Sequence, residues 1–419
     1  MTPVIAFQEH DSLLESWCAR GFWHQRIICF DRHLDVKRIS SSQIDRLMNA
    51  PLQPAQVRAL RRDLPFRDDD SCAYGFDNFV FAAHALGYVS HFVWICPEPI
   101  PLSLSQLARI LWQEVSLFPN CPNAIAPTFV VDGHSVRCSM GTLTIELTTV
   151  RRLHHLQSTA VSHVDVDLDY FCDSLGVFEH NVTDVVTQLR RAKIVDQVET
   201  LSYSLFSGFL PESARGVGHE LCDALGRTLS LSEDSRQTAQ ESMAALASNK
   251  RISPSDLEGF WRTELSSLGG PGFALRAVLE SRLNNIESAS EAYASAREAG
   301  DRAKWAAYAI GLRLLARAEY ENARLWFEEV LKPELVDSMQ SHAALLHLLC
   351  LCRLRRYDEA VFNAQSLVIR LPMRAEGYTL GLWAARQLNH RGTVLALQEK
   401  EKALRSTWSA LMAVQTATH

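Results

Sequence analysis

Ile27-Ile28-Cys29-Phe30-Asp31-Arg32-His33-Leu34-Asp35 runs from four apolar residues straight into two carboxylates spaced around an imidazole. About 130 residues later Val164-Asp165-Val166-Asp167-Leu168-Asp169 follows another apolar run, Ala160-Val161, in the same manner. Alternate side chains of an extended segment share one side. Each motif therefore presents its ionisable groups together at the end of a strand. Three such groups at a buried strand end repel and desolvate one another unless a cation cancels their charge. Two divalent cations would cancel it, because Asp31, Asp35, Asp165 and Asp167 formally balance two such ions, with Asp169 in reserve. The D-x-D-x-D pattern also occurs in calcium loops, but those carry a glycine and a later glutamate that are absent here.

Outward from these motifs, short strand-like runs alternate with amphipathic stretches over residues 1 to about 250. Val4–Phe7, Arg26–Phe30, Phe92–Cys96, Thr128–Val131, Thr142–Thr149, Ala160–Val166 and Thr200–Leu205 read as strands. Segments near 11–19, 76–87, 103–116, 181–192 and 212–230 read as helices, with Ser103 and Asn181 as starts. The alternation predicts a mostly parallel α/β sheet covered on both faces. Ligands of such sheets lie beyond the carboxyl ends of the strands, where both acidic motifs fall. Ser40–Ser71, ending in Asp68-Asp69-Asp70, reads as a long polar loop, or as an acidic lip that attracts a cationic substrate. His10, at the end of the first predicted strand, opens onto the same edge and supplies a second imidazole.

After about residue 250 the strand pattern stops. Ser253-Pro254 starts a short helix and Gly269-Gly270-Pro271-Gly272 breaks the chain. The expected organisation is a catalytic domain over 1–250, a linker over 251–272 and a helical domain over 273–419. Leu315–Ala323 and Leu354–Ala360 share a Tyr-x-x-Ala core, and Tyr320 and Tyr357 lie 37 residues apart. That spacing is close to the roughly 34-residue period of tetratricopeptide-type helix pairs, and a weaker third unit falls at Leu388–Leu397.

The 419 residues suffice for two domains, and 47% hydrophobic with 21% charged residues is an ordinary soluble balance. A net charge of −6 gives no basic surface of the kind nucleic acids require. No apolar run approaches a membrane span, and the N-terminus lacks a secretory signal. Ten cysteines show no C-x-x-C spacing, only Cys350-x-Cys352. They read as buried reduced thiols of a cytoplasmic protein, which argues against a cysteine-built zinc site.

The motifs in this order resemble the arginase/deacetylase superfamily, and more closely the arginase-like family that includes bacterial peptide arginases. The resemblance rests on Gln8-Glu9-His10-Asp11, Phe30-Asp31-Arg32-His33-Leu34-Asp35, Asp77-Asn78-Phe79 leading to His91-Phe92-Val93-Trp94, and Val164-Asp165-Val166-Asp167-Leu168-Asp169-Tyr170-Phe171. It covers about residues 4–210. It implies a three-layer sheet fold and two manganese ions held by His10, Asp31, His33, Asp35, Asp165 and Asp167. The chain departs from the superfamily in having no histidine between Asp35 and His84, and in Arg32, whose cation has to point away from the metals.

The implied activity is hydrolysis of an arginine side chain to ornithine and urea. Asp35 is the expected proton donor to the departing amine, and Asn78, Asp169 and Glu212 are candidates for holding the guanidinium. Glu212 reads equally as the first turn of a helix after Pro211. His84, His91 and His163 could reach the site, but a lone histidine among apolar residues is more often a satisfied core residue; His154, His155 and His219 read as surface or helix positions. Helix pairs commonly form grooves for peptides, so the tail favours a peptidyl-arginine substrate and a precursor-peptide partner. A tail used for homo-oligomerisation predicts the same sequence. The alternatives are a hydrolase of the same fold acting on a small guanidino compound or amide, and a non-catalytic interaction protein working through its helices. Imidazole-containing sites also accept zinc, iron or cobalt.

Overall fold

A computed structural model describes residues 2–50, 53–62, 67–118, 125–156, 163–172, 177–204, 215–232, 254–263, 265–332 and 337–413. Glu212 and the expected strand start at Ala160 lie outside these residues. Two compact units emerge, one of residues 1–65, 70–111 and 129–250, the other of residues 66–69, 112–128 and 251–419.

The first unit is built on a nine-stranded sheet: β1 Val4–Phe7, β2 Gln25–Phe30, β3 Val89–Ile95, β4 Val130–Val131, β5 Val136–Met140, β6 Leu143–Thr148, β7 His163–Asp167, β8 Val198–Ser202 and β9 Leu229–Leu231. The order is β4-β5-β6-β3-β2-β7-β8-β1-β9. Only the β4–β5 and β5–β6 pairings are antiparallel. Ile27, Ile28, Cys29 and Phe30 are fully buried, as a strand covered on both faces requires.

Alternation along the strands sorts the two faces. Ile28, Phe30, Val164 and Val166 join a core with Val185, Val186 and Leu189 of helix Val182–Arg191 and with Leu221 of helix Arg215–Leu225. The Asn181 side chain caps the first of these helices at the amides of Thr183 and Asp184. Cys29, His163, Asp165 and Asp167 point the other way. There Trp17 of helix Leu13–Ala19 meets the edge of His163, and Phe79 of helix Phe79–Ala85 stacks obliquely on His10. The chemistry-bearing residues thus share one face and one end of the sheet.

Three expectations need correction. Ser40–Ser71 is not a plain loop: it holds helices Ser41–Asn49 and Pro54–Ala59. Ser40 and Gln43 form a reciprocal capping box, and each helix buries one apolar residue, Leu47 or Val57. The helix expected over 212–230 ends at Leu225, where Gly226 takes φ +69° and turns the chain into β9 beside β1. β5 was not anticipated; Gly141, at φ +64°, closes its hairpin with β6.

Glu146 on β6 accepts from Ser135 at 2.7 Å, approaches His91 Nε2 at 2.8 Å and pairs with Arg26 at 3.0 Å. Burial opposes its ionisation, but His91, Ser135 and Arg26 hold the carboxyl down at about 2. A depressed folded value contributes stability above the unfolded carboxylate range, lost as pH falls from about 4.5 through about 2. Glu146→Gln is expected to destabilise the chain by about 3 kcal/mol in urea unfolding at pH 7, because it removes the buried charge that Arg26 and His91 face. The gap to the parent should narrow at pH 3.

The second unit is helical. Among the described residues from Gly270 to Ala413 eight helices follow one another, and each packs on its neighbours. Ala318, Arg355 and Asn389 adopt the same left-handed conformation at three of these turns. A Cβ on Gly311 of helix Lys304–Ala316 would lie 2.8 Å from the Phe327 ring. One on Gly272 would collide with the backbone oxygen of Leu265. Gly311→Ala should cost about 1–3 kcal/mol as an overpacked contact. Gly272→Ala should cost more, since a backbone carbonyl cannot swing aside as a ring can. Thermal unfolding of the two variants checks the ranking. Among the described residues no helix is long and apolar enough to cross a membrane.

Candidate metal centre

Strand register builds the site. Cys29 on β2 lies opposite Asp165 on β7, and Asp165 and Asp167 lie opposite Thr200 and Ser202 on β8. β8 in turn pairs with β1, whose end leads into Glu9 and His10. Four adjacent strands, β2, β7, β8 and β1, therefore deliver their carboxyl ends to one place. Trp94 Nε1 donates to the Asp31 carbonyl at 2.7 Å and anchors the chain where it leaves β2.

His10 is the hub. Its Nδ1 lies 3.1 Å from Asp31 Oδ2, 3.1 Å from Asp35 Oδ2 and 3.3 Å from Asp167 Oδ2. Its Nε2 lies 2.8 Å from Asp165 Oδ2 and 3.2 Å from Cys29 Sγ. Beside this group, His33 Nδ1 lies 2.8 Å from Asp169 Oδ2 and 3.8 Å from Asp31 Oδ1. Asp31 thus turns one oxygen to each imidazole. All six sequence-derived ligands, and Asp169, come together.

Asp31, Asp165, Asp167 and Asp169 are buried, whereas the His33 side chain is 38% exposed and that of Asp35 9%. Among the described residues the cluster is most open at the His33–Asp35 edge. Asp35 takes φ +47°, an uncommon conformation for an aspartate that functional sites often hold.

Burial, together with the neighbouring Asp35 and Asp169 charges, pushes Asp31 well above the carboxylate range. Burial and Asp169 do the same to Asp167. Burial pulls His10 down, but Cys29, Asp165 and Asp31 outweigh it and hold the imidazole well above its usual value. For Asp169, burial opposes ionisation and His33 prevails, leaving the carboxyl below its usual value.

These groups ask for a cation. One ring N–H cannot serve the three carboxylate oxygens around His10 Nδ1. Oδ2 of Asp31 and Oδ2 of Asp169 are buried without an aligned hydrogen-bond donor, despite the nearby imidazoles. Donor atoms near 3 Å apart match adjacent ligands of an ion bonded at about 2.1 Å. Three overlapping groups have the spacing to hold an ion: His10-Asp31-Asp35, Asp31-His33-Asp169 and His10-Cys29-Asp165.

Other candidates have different roles. Asn78 Oδ1 accepts from the Gly75 amide at 2.8 Å, so it closes a turn rather than presenting that oxygen to a guanidinium. His84 bonds the Val89 carbonyl at 2.9 Å and His91 bonds Glu146. His163 is buried between Thr200 Oγ1, at 2.8 Å, and Glu199, at 3.0 Å. Arg32 does point away: it donates to Glu179 at 2.6 Å and to the Asp169 carbonyl at 3.3 Å. The acidic lip is already neutralised, because Asp68 pairs with Arg302, Asp69 with Arg67 and Asp70 with Arg46.

Sequence reasoning missed three supporting residues. Thr200 Oγ1 donates to Asp165 Oδ1, Ser204 Oγ donates to Asp167 Oδ2 at 2.5 Å, and Cys29 adjoins His10. The alternating Thr200-Leu201-Ser202-Tyr203-Ser204 was the available signal. Compared with known proteins, the chain matches no family model, no curated protein and no solved structure.

Proposed function

We propose that this chain is a binuclear metal-dependent hydrolase of arginase/deacetylase type. Its reaction removes urea from a peptidyl arginine and leaves peptidyl ornithine. The observation that carries this reading is the crowd of buried carboxylates around His10 Nδ1, joined through Asp31 to the His33–Asp169 pair. Manganese is the metal the resemblance implies, with His10, Asp31, His33, Asp35, Asp165 and Asp167 as ligands and Asp169 beside them. Bound divalent ions would supply a water of lowered pKa as nucleophile at neutral pH.

The residues of the chain do the rest. The negative cluster draws a guanidinium to the edge between His33 and Asp35, the more exposed one among the described residues. Thr200 and Ser204 hold the Asp165 and Asp167 carboxylates in orientation, as outer partners of ligands commonly do. Water adds at the guanidinium carbon, the bond to the side-chain nitrogen breaks, and Asp35 passes a proton to the departing amine. Trp17 and Phe79 pack beside this face and exclude bulk water behind it.

Within the helical unit, Val368, Ile369, Met373, Tyr378 and Leu404 line a groove of about 360 Å³, which supports a peptide as the carrier of the arginine. Nine described cysteines are free and eight of them buried, consistent with a reducing, cytoplasmic setting. Colorimetric urea release from an arginine-containing peptide and from free arginine, with added manganese, tests the reading. Release from the peptide alone is expected. Release from free arginine alone would replace the substrate with a small guanidino compound. Release from neither, by a chain that also binds no metal, would leave the helices as the functional part.

A further inference from the structure

Cys29 differs in surroundings from the other buried thiols near the sheet. Cys96, for example, meets a backbone carbonyl at 3.7 Å. The Sγ of Cys29 instead lies 3.2 Å from His10 Nε2 and 3.5 Å from Asp165 Oδ2, and those two atoms are 2.8 Å apart. The three donors belong to β2, β7 and the segment after β1, so the sheet itself fixes the triangle. Its edges fit a cation bonded to sulfur at about 2.3 Å and to nitrogen and oxygen at about 2.0–2.2 Å.

We propose that Cys29 is a ligand of this centre, and that the His10-Cys29-Asp165 position takes a thiophilic divalent cation such as zinc, cobalt(II) or iron(II) in preference to manganese. The inference rests on the reading of the cluster as a metal centre and alters which metal it selects. Three observations beyond the thiol support it. Asp31 Oδ2 is buried, without an aligned donor, and 3.1 Å from the opposite nitrogen of the same imidazole. That nitrogen, Nδ1, faces Asp31 and Asp35, so an Nδ1–H given to a carboxylate would leave Nε2 free to bind. Metal-bound histidines usually show this carboxylate–imidazole arrangement. Finally, Thr200 occupies Asp165 Oδ1 and leaves Oδ2 for the ion. Thiolate selects zinc-like ions, whereas manganese prefers oxygen donors.

The experiment adds one equivalent of cobalt(II) to the metal-stripped full chain and records its absorption. The expected result is an intense near-ultraviolet sulfur-to-cobalt band beside the visible bands. Cys29→Ser should lose the near-ultraviolet band and bind cobalt at least about tenfold more weakly. Visible bands without the ultraviolet band in the parent would overturn the cysteine ligand and leave the metal centre standing. No cobalt on a folded chain would overturn both. Should Cys29→Ser fail to fold, zinc-edge X-ray absorption on the parent with one equivalent of zinc decides. A sulfur shell at about 2.3 Å supports the proposal, and only nitrogen and oxygen at about 2.0–2.2 Å overturns it.

Discussion

Asp165→Ala combined with Asp167→Ala is expected to abolish the proposed binding of divalent ions and to lower the proposed urea release by at least about a thousandfold. The physical reason is that, on the proposed reading, these two residues supply oxygens to the centre from a strand held on both sides. Both lie on β7, flanked by β2 and β8, and both are buried. No neighbouring carboxylate can swing in to replace them, because Asp31 already faces His10 and Asp169 already faces His33. Loss of a metal-activated nucleophile removes several kcal/mol of transition-state stabilisation, and each 1.36 kcal/mol is about one decade in rate. Elemental analysis of parent and double variant reads the first part. Close to two ions per chain in the parent, and none in the variant, is the expected pair of values. An unchanged ion content in the variant would move the centre elsewhere in the molecule.

The same substitution leaves a control in place. Thr200 and Ser204 lose their acceptors, but both hydroxyls can turn to other partners at modest cost. Loss of ions without loss of the folded state is therefore a fair reading of the result, and circular dichroism checks it.

How far the site could be read in the sequence follows from which of its contacts are local. Asp31, His33 and Asp35 lie on one short segment, and Asp165 and Asp167 on another. Each segment follows an apolar run, and alternation accounts for Asp165 and Asp167 on β7; Asp31, His33 and Asp35 lie past the end of β2, with Asp35 at φ +47°, so alternation does not account for their meeting. His10 required only the end of one strand to be located. Cys29 obeys the same alternation as Asp31, yet a buried thiol reads as core, and only the β2–β7 register sets it opposite Asp165. Thr200 and Ser204 depend on the β7–β8 pairing, which no periodicity announces. Asn78 was expected at the site from its place in the order of motifs, and its oxygen accepts from the Gly75 amide in a turn.

For the fold, β2 was legible because its buried end is a continuous apolar run, whereas β7 alternates valine with buried His163, Asp165 and Asp167. β9 is three residues long and mostly exposed, so it carries no apolar signature. The helices within Ser40–Ser71 bury one side chain each; Ser41–Asn49 starts from the Ser40 capping box, whereas Pro54–Ala59 has only a proline in its first turn and no side-chain cap. Those are the elements whose formation is decided by their neighbours.

Asp31→Asn should act in opposite directions on the two states of the protein. In the metal-stripped chain it is expected to stabilise, by about 1–4 kcal/mol. Asp31 is fully buried, Asp35 and Asp169 raise the cost of its charge, and its Oδ2 accepts no aligned hydrogen bond. An amide of the same shape removes that charge. The carbonyl half of the new side chain can still accept from the His33 amide, which Oδ1 does now at 2.7 Å. In the presence of excess metal the order reverses. A ligand that binds only the folded state stabilises by about 4 kcal/mol at a thousandfold excess over its dissociation constant. The parent gains this amount, and the variant, with its shared carboxylate gone, gains little of it. Thermal unfolding of both proteins with chelator and with manganese gives four values. The expected pattern is the variant above the parent with chelator and below it with metal. A variant that unfolds earlier in both conditions would show that Asp31 is structural and that the carboxylate cluster is not strained for a cation. The crossing pattern needs no knowledge of the substrate, so it separates a metal-binding role for this strand end from a purely architectural one before any activity is measured.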